Sequence, residues 1–319
     1  MSGHIPQTPD RSTPQAGGGS AAGELAERYA AVCDRVARAA ARSGRTAADI
    51  IVVAVTKFAD ADQIRAMIDL GHRDFGENRV QVLMQHAAMV EEYFARLRVM
   101  PSAARQDLAG GRLLSAVRSR QTGASTGSTG GKTASGPSPA QASGVANPVR
   151  WHLIGHLQRN KARKALEFVR LVHSVDSLRL AEELQIAANR REEPVDVLLQ
   201  VNCSGEDSKF GCPVPAALPL AEQIDTMTNV RVRGLMTMAP LTDRPEETRH
   251  VFRRCRELFD EARREGIGGG MFNILSMGMS GDFEVAIEEG ANVVRVGTAI
   301  FGEPRTTEAD PADSDSSEG

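Results

Sequence analysis

The chain has 319 residues, and its apolar residues together with glycine make up about half of it, the usual share for a folded soluble protein of one large domain or two ordinary ones. With 38 basic against 41 acidic residues and 4% aromatics, it offers no general electrostatic case for nucleic acid or membrane and no platform for base stacking. No apolar run approaches the roughly 20 residues that span a bilayer, and the N-terminus lacks the basic-then-apolar character of a signal peptide.

The four cysteines (Cys33, Cys203, Cys212 and Cys255) are scattered and form no CxxC pair. They read as reduced thiols of a cytoplasmic protein, with neither a disulfide frame nor a metal site. Residues 1–23 are mostly Gly, Ser, Pro, Thr and Ala and read as a disordered tail. An amphipathic helix is predicted over 23–44, ahead of a first strand, IIVVAVT at 50–56. Further strands are predicted at HRDFG (72–76), WHLIG (151–155), LVHSVD (171–176), VDVLLQVN (195–202), VRVRGLM (230–236), FNILSMG (272–278) and NVVRVG (292–297).

Each of the eight but the last is followed by a segment with apolar residues at helical spacing. Strict alternation implies a parallel sheet, and eight units close a (β/α)8 TIM barrel. An open doubly wound sheet would instead show a Gly-rich fingerprint after its first strand, where this chain has VAVTKFAD. The alternation is interrupted over about 98–148. Within that stretch, 23 of the 28 residues from Gln121 to Pro148 are Gly, Ser, Thr, Ala or Pro, the composition of a flexible insertion. Residues 304–319 form an acidic tail. The barrel domain is therefore bounded at 24–303.

In such a barrel the chemistry sits where strands end. At those points stand Lys57, Glu77, Asn78, His156, Asp176, Asn202, Met236, Ser276 to Ser280, Gly297 and Thr298. Period-two alternation puts Val53, Val55 and Lys57 on one face, and if that face is inward the amine is partly desolvated at the barrel mouth. Gly278, Ser280 and Gly281 at one strand-to-helix junction, and Gly297 with Thr298 at the next, suit a phosphate. Arg295 shares a face with Val293 and Gly297, so an inward guanidinium is expected. It either pairs with a carboxylate such as Glu77 or Asp176, or donates to a ring nitrogen of a bound cofactor. An amine, an anion site and a ring-nitrogen partner together match the needs of pyridoxal 5′-phosphate (PLP).

The segments VAVTKFADADQI, GHRDFGENRVQ, WHLIGHLQRNK, VHSVDSLRLAEEL, GLMTMAPL and LSMGMSGDFEVAIEEGANVVRVGTAIFG resemble the PLP homeostasis protein family (YggS/PROSC), itself related to the N-terminal barrel of alanine racemase. The resemblance covers about 24–97 and 149–303. It implies a fold-type III PLP barrel with the Schiff-base lysine at Lys57, and contacts to the cofactor ring and phosphate at Asn78, Met279, Ser280, Arg295, Gly297 and Thr298. The GHLQ.NK segment with His156, Gln158, Asn160 and Lys161 also matches. Phe210, the insertion and the tails depart from the pattern.

The resemblance implies a single-domain carrier, expected to be monomeric, that passes PLP to apo-enzymes. An Arg at the ring nitrogen keeps it neutral and weakens the electron sink that most PLP chemistry needs. Racemisation needs a second base, and the only tyrosines, Tyr29 and Tyr93, fall in helices expected outside the barrel. The alternatives are a slow amino-acid racemase using a base such as Cys203, or a phosphate-binding barrel enzyme with Lys57 as an aldolase-type amine and no PLP.

Overall fold

The computed structural model describes residues 21–99, 149–206 and 210–303. The regions read as N-terminal tail, insertion and acidic tail lie outside these, apart from their edges. The helix α1 (Ala21–Arg42) opens inside the stretch read as a tail, because Ala21 and Ala22 extend its first turn.

Eight parallel strands form the barrel in chain order: β1 (Ile51–Val55), β2 (Asp74–Glu77), β3 (Arg150–Leu153), β4 (Val169–Val175), β5 (Val195–Asn202), β7 (Val230–Met236), β8 (Ile274–Ser276) and β9 (Val293–Val296). Pairing of β1 with β9, at Val53↔Arg295 and Ala54↔Val296, closes the ring. A two-residue strand, β6 (Cys212–Pro213), adds to the end of β5. These eight barrel strands are the eight expected from the sequence.

The helices α2 (Ala61–Asp69), α3 (Val80–Val99), α4 (Ala162–Ala165), α5 (Leu178–Arg191), α6 (Val214–Asp225), α7 (Arg249–Arg264), α8 (Phe283–Glu288) and α9 (Thr298–Phe301) follow the strands in turn. The last of them is a single turn, so the final strand also has its helix, though a short one. The outer layer is completed there by α1, which packs on α8, α9 and α2. Its buried stripe of Leu25, Val32, Val36, Ala39 and Ala40 has helical spacing. Arg35 on Glu284 and Arg42 on Glu288 fix its register against α8.

Two cores follow from the period-two alternation of the strands. The larger one lies between sheet and helices and takes Ala54, Phe75, Trp151, Val172, Val294 and Val296 from the strands, with Leu83, Leu184, Phe252 and Phe283 from the helices. A smaller cluster of Leu171, Leu198 and Met236 is separate from it, and these residues fill part of the barrel interior. The rest of that interior is polar. His152, His173, Ser276 and Arg295 are all buried there on strands β3, β4, β8 and β9.

Candidate functional site

The candidate residues fall on four strands that are consecutive around the barrel, β2, β1, β9 and β8. Asn78 follows β2, Lys57 lies just past β1, Arg295 is within β9 with Gly297 and Thr298 after it, and Met279 and Ser280 follow β8. The sequence alone names the residues; the barrel order is what makes them one arc of the mouth.

The strand β1 stops at Val55, so the alternation of Val53 and Val55 does not carry through to Lys57. Thr56 is buried and bonds the Gly76 carbonyl and the Glu77 carboxylate, and Lys57 begins a turn. Its side chain is exposed, with Nζ 4.6 Å from the centre of the Phe58 ring. The desolvated amine expected from strand alternation is thus replaced by one standing over an aromatic face. Behind it, the wholly buried Glu77 accepts from the Thr56 hydroxyl, sits 3.0 Å from His86 Nδ1 and takes the Asn78 N–H at 3.3 Å. One carboxylate therefore ties together the residues that precede Lys57 and flank Asn78.

The turns after β8 and β9 are joined by a single hydroxyl. Ser280 Oγ accepts from the backbone N–H of Gly297 at 3.1 Å and of Ala299 at 3.3 Å. Asp282 accepts from the Met279 N–H at 2.6 Å and shapes the first of these turns. Burial pushes the Asp282 carboxyl up from its ordinary value, against the hydrogen bond that stabilises its charge. Gly278 has φ +92° and lies against Ala286 and Phe283, so helix α8 seats directly on the strand end.

Arg295 is inward, as expected, and 3% exposed. The carboxylate partners considered from the sequence are not its partners. Glu77 is engaged by Thr56 and His86, and Asp176 lines a groove with His156 and Gln158. Instead Arg295 Nη1 donates to Ser276 Oγ at 2.7 Å and Nη2 to the Thr237 carbonyl at 3.0 Å. Burial lowers its pKa to about 10, with Asp282 opposing, so the guanidinium stays charged at neutral pH.

Two residues that strand-end reasoning passes over are His152 and His173. His152 lies between Trp151 and Leu153, and His173 follows Val172, all three neighbours belonging to the core between sheet and helices, and that period-two pattern is the signal that could have found the two histidines. Phe210, the departure from the family pattern, stacks on His156 with ring centres 5.4 Å apart, linking the loop after β3 to the loop after β5. The tyrosines lie outside the barrel. The Tyr29 hydroxyl meets His72 Nδ1 at 3.1 Å, and that of Tyr93 donates to Asp69 at 2.6 Å. Cys203 follows β5 beside Cys255, whose thiol holds the Cys203 pKa below its ordinary value against the opposing effect of burial.

A profile of the alanine racemase N-terminal domain family matches residues 35–304. The pyridoxal phosphate homeostasis protein of Aquifex aeolicus is 34% identical over 281 residues, covering 87% of this chain and 97% of that protein. Its namesake from Pseudomonas aeruginosa is 35% identical over 279 residues, covering 87% and 95%. The chain belongs to the pyridoxal phosphate homeostasis protein family.

Among solved structures, PipY of Synechococcus elongatus, determined with PLP bound, matches with a TM-score of 0.59 and 28% identity over 87% of this chain and all of that one. The same protein without PLP gives 0.62. An alanine racemase from Clostridium difficile, 12% identical with a TM-score of 0.50 over 83% of this chain and 53% of that one, shares the fold. The arc of β2, β1, β9 and β8 in this chain is thus set in a barrel of the fold that alanine racemase also has.

Proposed function

We propose that this protein binds PLP at the mouth of the barrel and serves PLP homeostasis in the cytoplasm, holding the cofactor and releasing it to apo-enzymes without turnover of its own. The observation that carries this reading is the arc itself, with an exposed amine, a charged permanent donor and two backbone N–H groups gathered on the Ser280 hydroxyl, at the ends of four adjacent strands. These groups fit the cofactor in kind. The N–H groups of Gly297 and Ala299 and the Ser280 hydroxyl suit a phosphate. Arg295, which cannot lose its proton at neutral pH, suits the lone pair of a pyridine nitrogen. The Lys57 amine suits an aldehyde, and water is released as the bond to carbon forms.

PLP when bound contributes an aldehyde and an electron-withdrawing ring. The chain's residues decide how far that ring is used. An arginine at the ring nitrogen keeps it unprotonated and limits the withdrawal of electrons, which supports a carrier. The engagement of Tyr29 and Tyr93 in outer-layer hydrogen bonds supports the same reading. Among the described residues no helix is long and apolar enough to cross a membrane, and the four cysteines are unpaired thiols, in keeping with a reducing compartment.

The test is the visible spectrum of the purified full chain, before and after added PLP and then borohydride, with the modified residue mapped by peptide analysis. A coloured protein that is reduced onto Lys57 is the expected result. A protein that stays colourless with PLP, or carries the label elsewhere, overturns the reading. Incubation of the PLP-loaded protein with single-enantiomer amino acids should leave optical rotation unchanged. Its loss at enzyme-like rates overturns the carrier assignment.

A further inference from the structure

Arg295 is one end of a hydrogen-bonded chain that crosses the whole barrel interior. Ser276 Oγ, which accepts from Arg295 Nη1, lies 3.0 Å from His173 Nδ1. His173 Nε2 lies 2.9 Å from His152 Nδ1, and His152 Nε2 lies 3.2 Å from Asp74 Oδ1. Asp74 is held in turn by Arg150, whose Nε donates to Oδ1 at 2.7 Å. Ser276 and His173 are both 0% exposed. The chain starts at the first residues of β2 and β3, at the end of the barrel away from the mouth, and finishes on the β9 residue beneath Gly297.

The two ends fix the outer links of the chain. A guanidinium only donates and a carboxylate only accepts. Arg295 therefore donates to Ser276 Oγ, and His152 donates from Nε2 to Asp74. With His173 neutral, a continuous relay places its proton on Nε2, donating to His152 Nδ1, and lets the Ser276 hydroxyl donate to His173 Nδ1. A second proton on His173 would fall on Nδ1, against the Ser276 oxygen, and would leave the serine hydroxyl without an acceptor. Burial, then the proximity of His152 and Arg295, pushes the His173 pKa well down, in line with the neutral form. The carboxylate acting on this end is Asp282, toward Arg295.

We propose that Ser276 and His173 are positioning residues for cofactor binding. Together with the Thr237 carbonyl they clamp two guanidinium nitrogens from neighbouring strands, which fixes where the remaining edge of Arg295 points. The inference rests on the PLP reading above, since it concerns what Arg295 presents to the ring. An unclamped arginine would have to lose side-chain freedom on binding, and that cost would appear in affinity. A ring contact that wanders would also perturb the electronic state of the bound cofactor.

Two experiments test it with full-length protein. The first needs no cofactor: nitrogen NMR of labelled histidines should find His173 as the neutral Nε2–H tautomer at pH 7, and a protonated or Nδ1–H His173 overturns the relay. The second titrates PLP into Ser276→Ala, His173→Phe and the conservative Ser276→Thr. Loss of a hydrogen bond to a charged group is worth about tenfold or more in affinity. The first two variants should bind at least that much more weakly, with a shifted visible band, while Ser276→Thr keeps the hydroxyl and stays near wild type. Binding within about twofold and an unchanged band in Ser276→Ala would overturn the proposal. If the alanine variant does not fold, the tautomer measurement and the threonine variant still decide. Failure of wild type to bind PLP would sink the functional reading instead, and leave the tautomer result standing.

Discussion

Replacing Gly278 with alanine should disturb both the stability of the barrel and the shape of its mouth, and the size of the effect follows from the geometry. The residue sits at φ +92°, which costs a residue with a Cβ about 1–2 kcal/mol. The added carbon would lie 2.6 Å from Ala286 Cβ and 2.8 Å from Phe283 Cα. Ordinary contact begins at 3.4 Å, so helix α8 must retreat by 3.4 − 2.6 = 0.8 Å. Overpacking of this kind costs about 1–3 kcal/mol, for a total of about 2–5 kcal/mol. Ser280 stands between the strand and that helix, so its hydroxyl should move away from Gly297 and Ala299 and weaken PLP binding. Urea denaturation of Gly278→Ala, with PLP titration alongside, measures both effects. The internal control is Gly281→Ala, three residues on, where an added carbon meets nothing within 4 Å and stability should change by less than about 0.5 kcal/mol. Destabilisation of Gly278→Ala by under about 1 kcal/mol would refute the argument.

Lys57→Ala should remove the visible band while leaving thermal stability within about 0.5 kcal/mol of wild type, because the side chain is exposed and stands over Phe58; a large drop in melting temperature would contradict the placement. Arg295→Met should weaken PLP binding by about tenfold or more while the cofactor-free barrel still folds, since the substitution removes a desolvated charge as well as two hydrogen bonds. Failure of the apoprotein to fold would make the arginine a structural clamp above all. Stability should also fall in mild acid. Burial holds the His72 pKa at about 4, so the unfolded chain takes up a proton from about pH 6.5 downward that the folded chain refuses. This contribution is fully present above pH 6.5 and is lost as pH falls toward 4, to a limit of about 3 kcal/mol. His173 acts in the same direction. Melting curves at pH 7.5, 6 and 5 should slope accordingly and flatten in His72→Gln; a flat wild-type profile would count against it.

Most of the eight strands were legible as short β-branched or apolar runs between helical periodicities, whereas β2, built from Asp74–Glu77, was legible chiefly from its place in the alternation. Arg295 was legible as inward because Val294 and Val296 bracket it on the helix-facing side. Its partners were not, since choosing Ser276 and Thr237 over Glu77 depends on register across strands that are distant in sequence. The orientation of Lys57 also escaped the pattern, because alternation holds only while the strand lasts and β1 ends two residues earlier. The two histidines carried a visible signal that a search confined to strand ends does not sample. The role of α1 as the outer-layer neighbour of the final strand depended on closure of the ring.

The Ser280 hydroxyl gives the donors of Gly297 and Ala299 a home-grown acceptor. A phosphate arriving there would exchange one oxygen for another, and on leaving would hand the same N–H groups back to the serine. Neither step strands a buried donor, so loading and unloading are matched swaps with a low toll in each direction. In the carrier proposed above, such a grip would have its own replacement within reach.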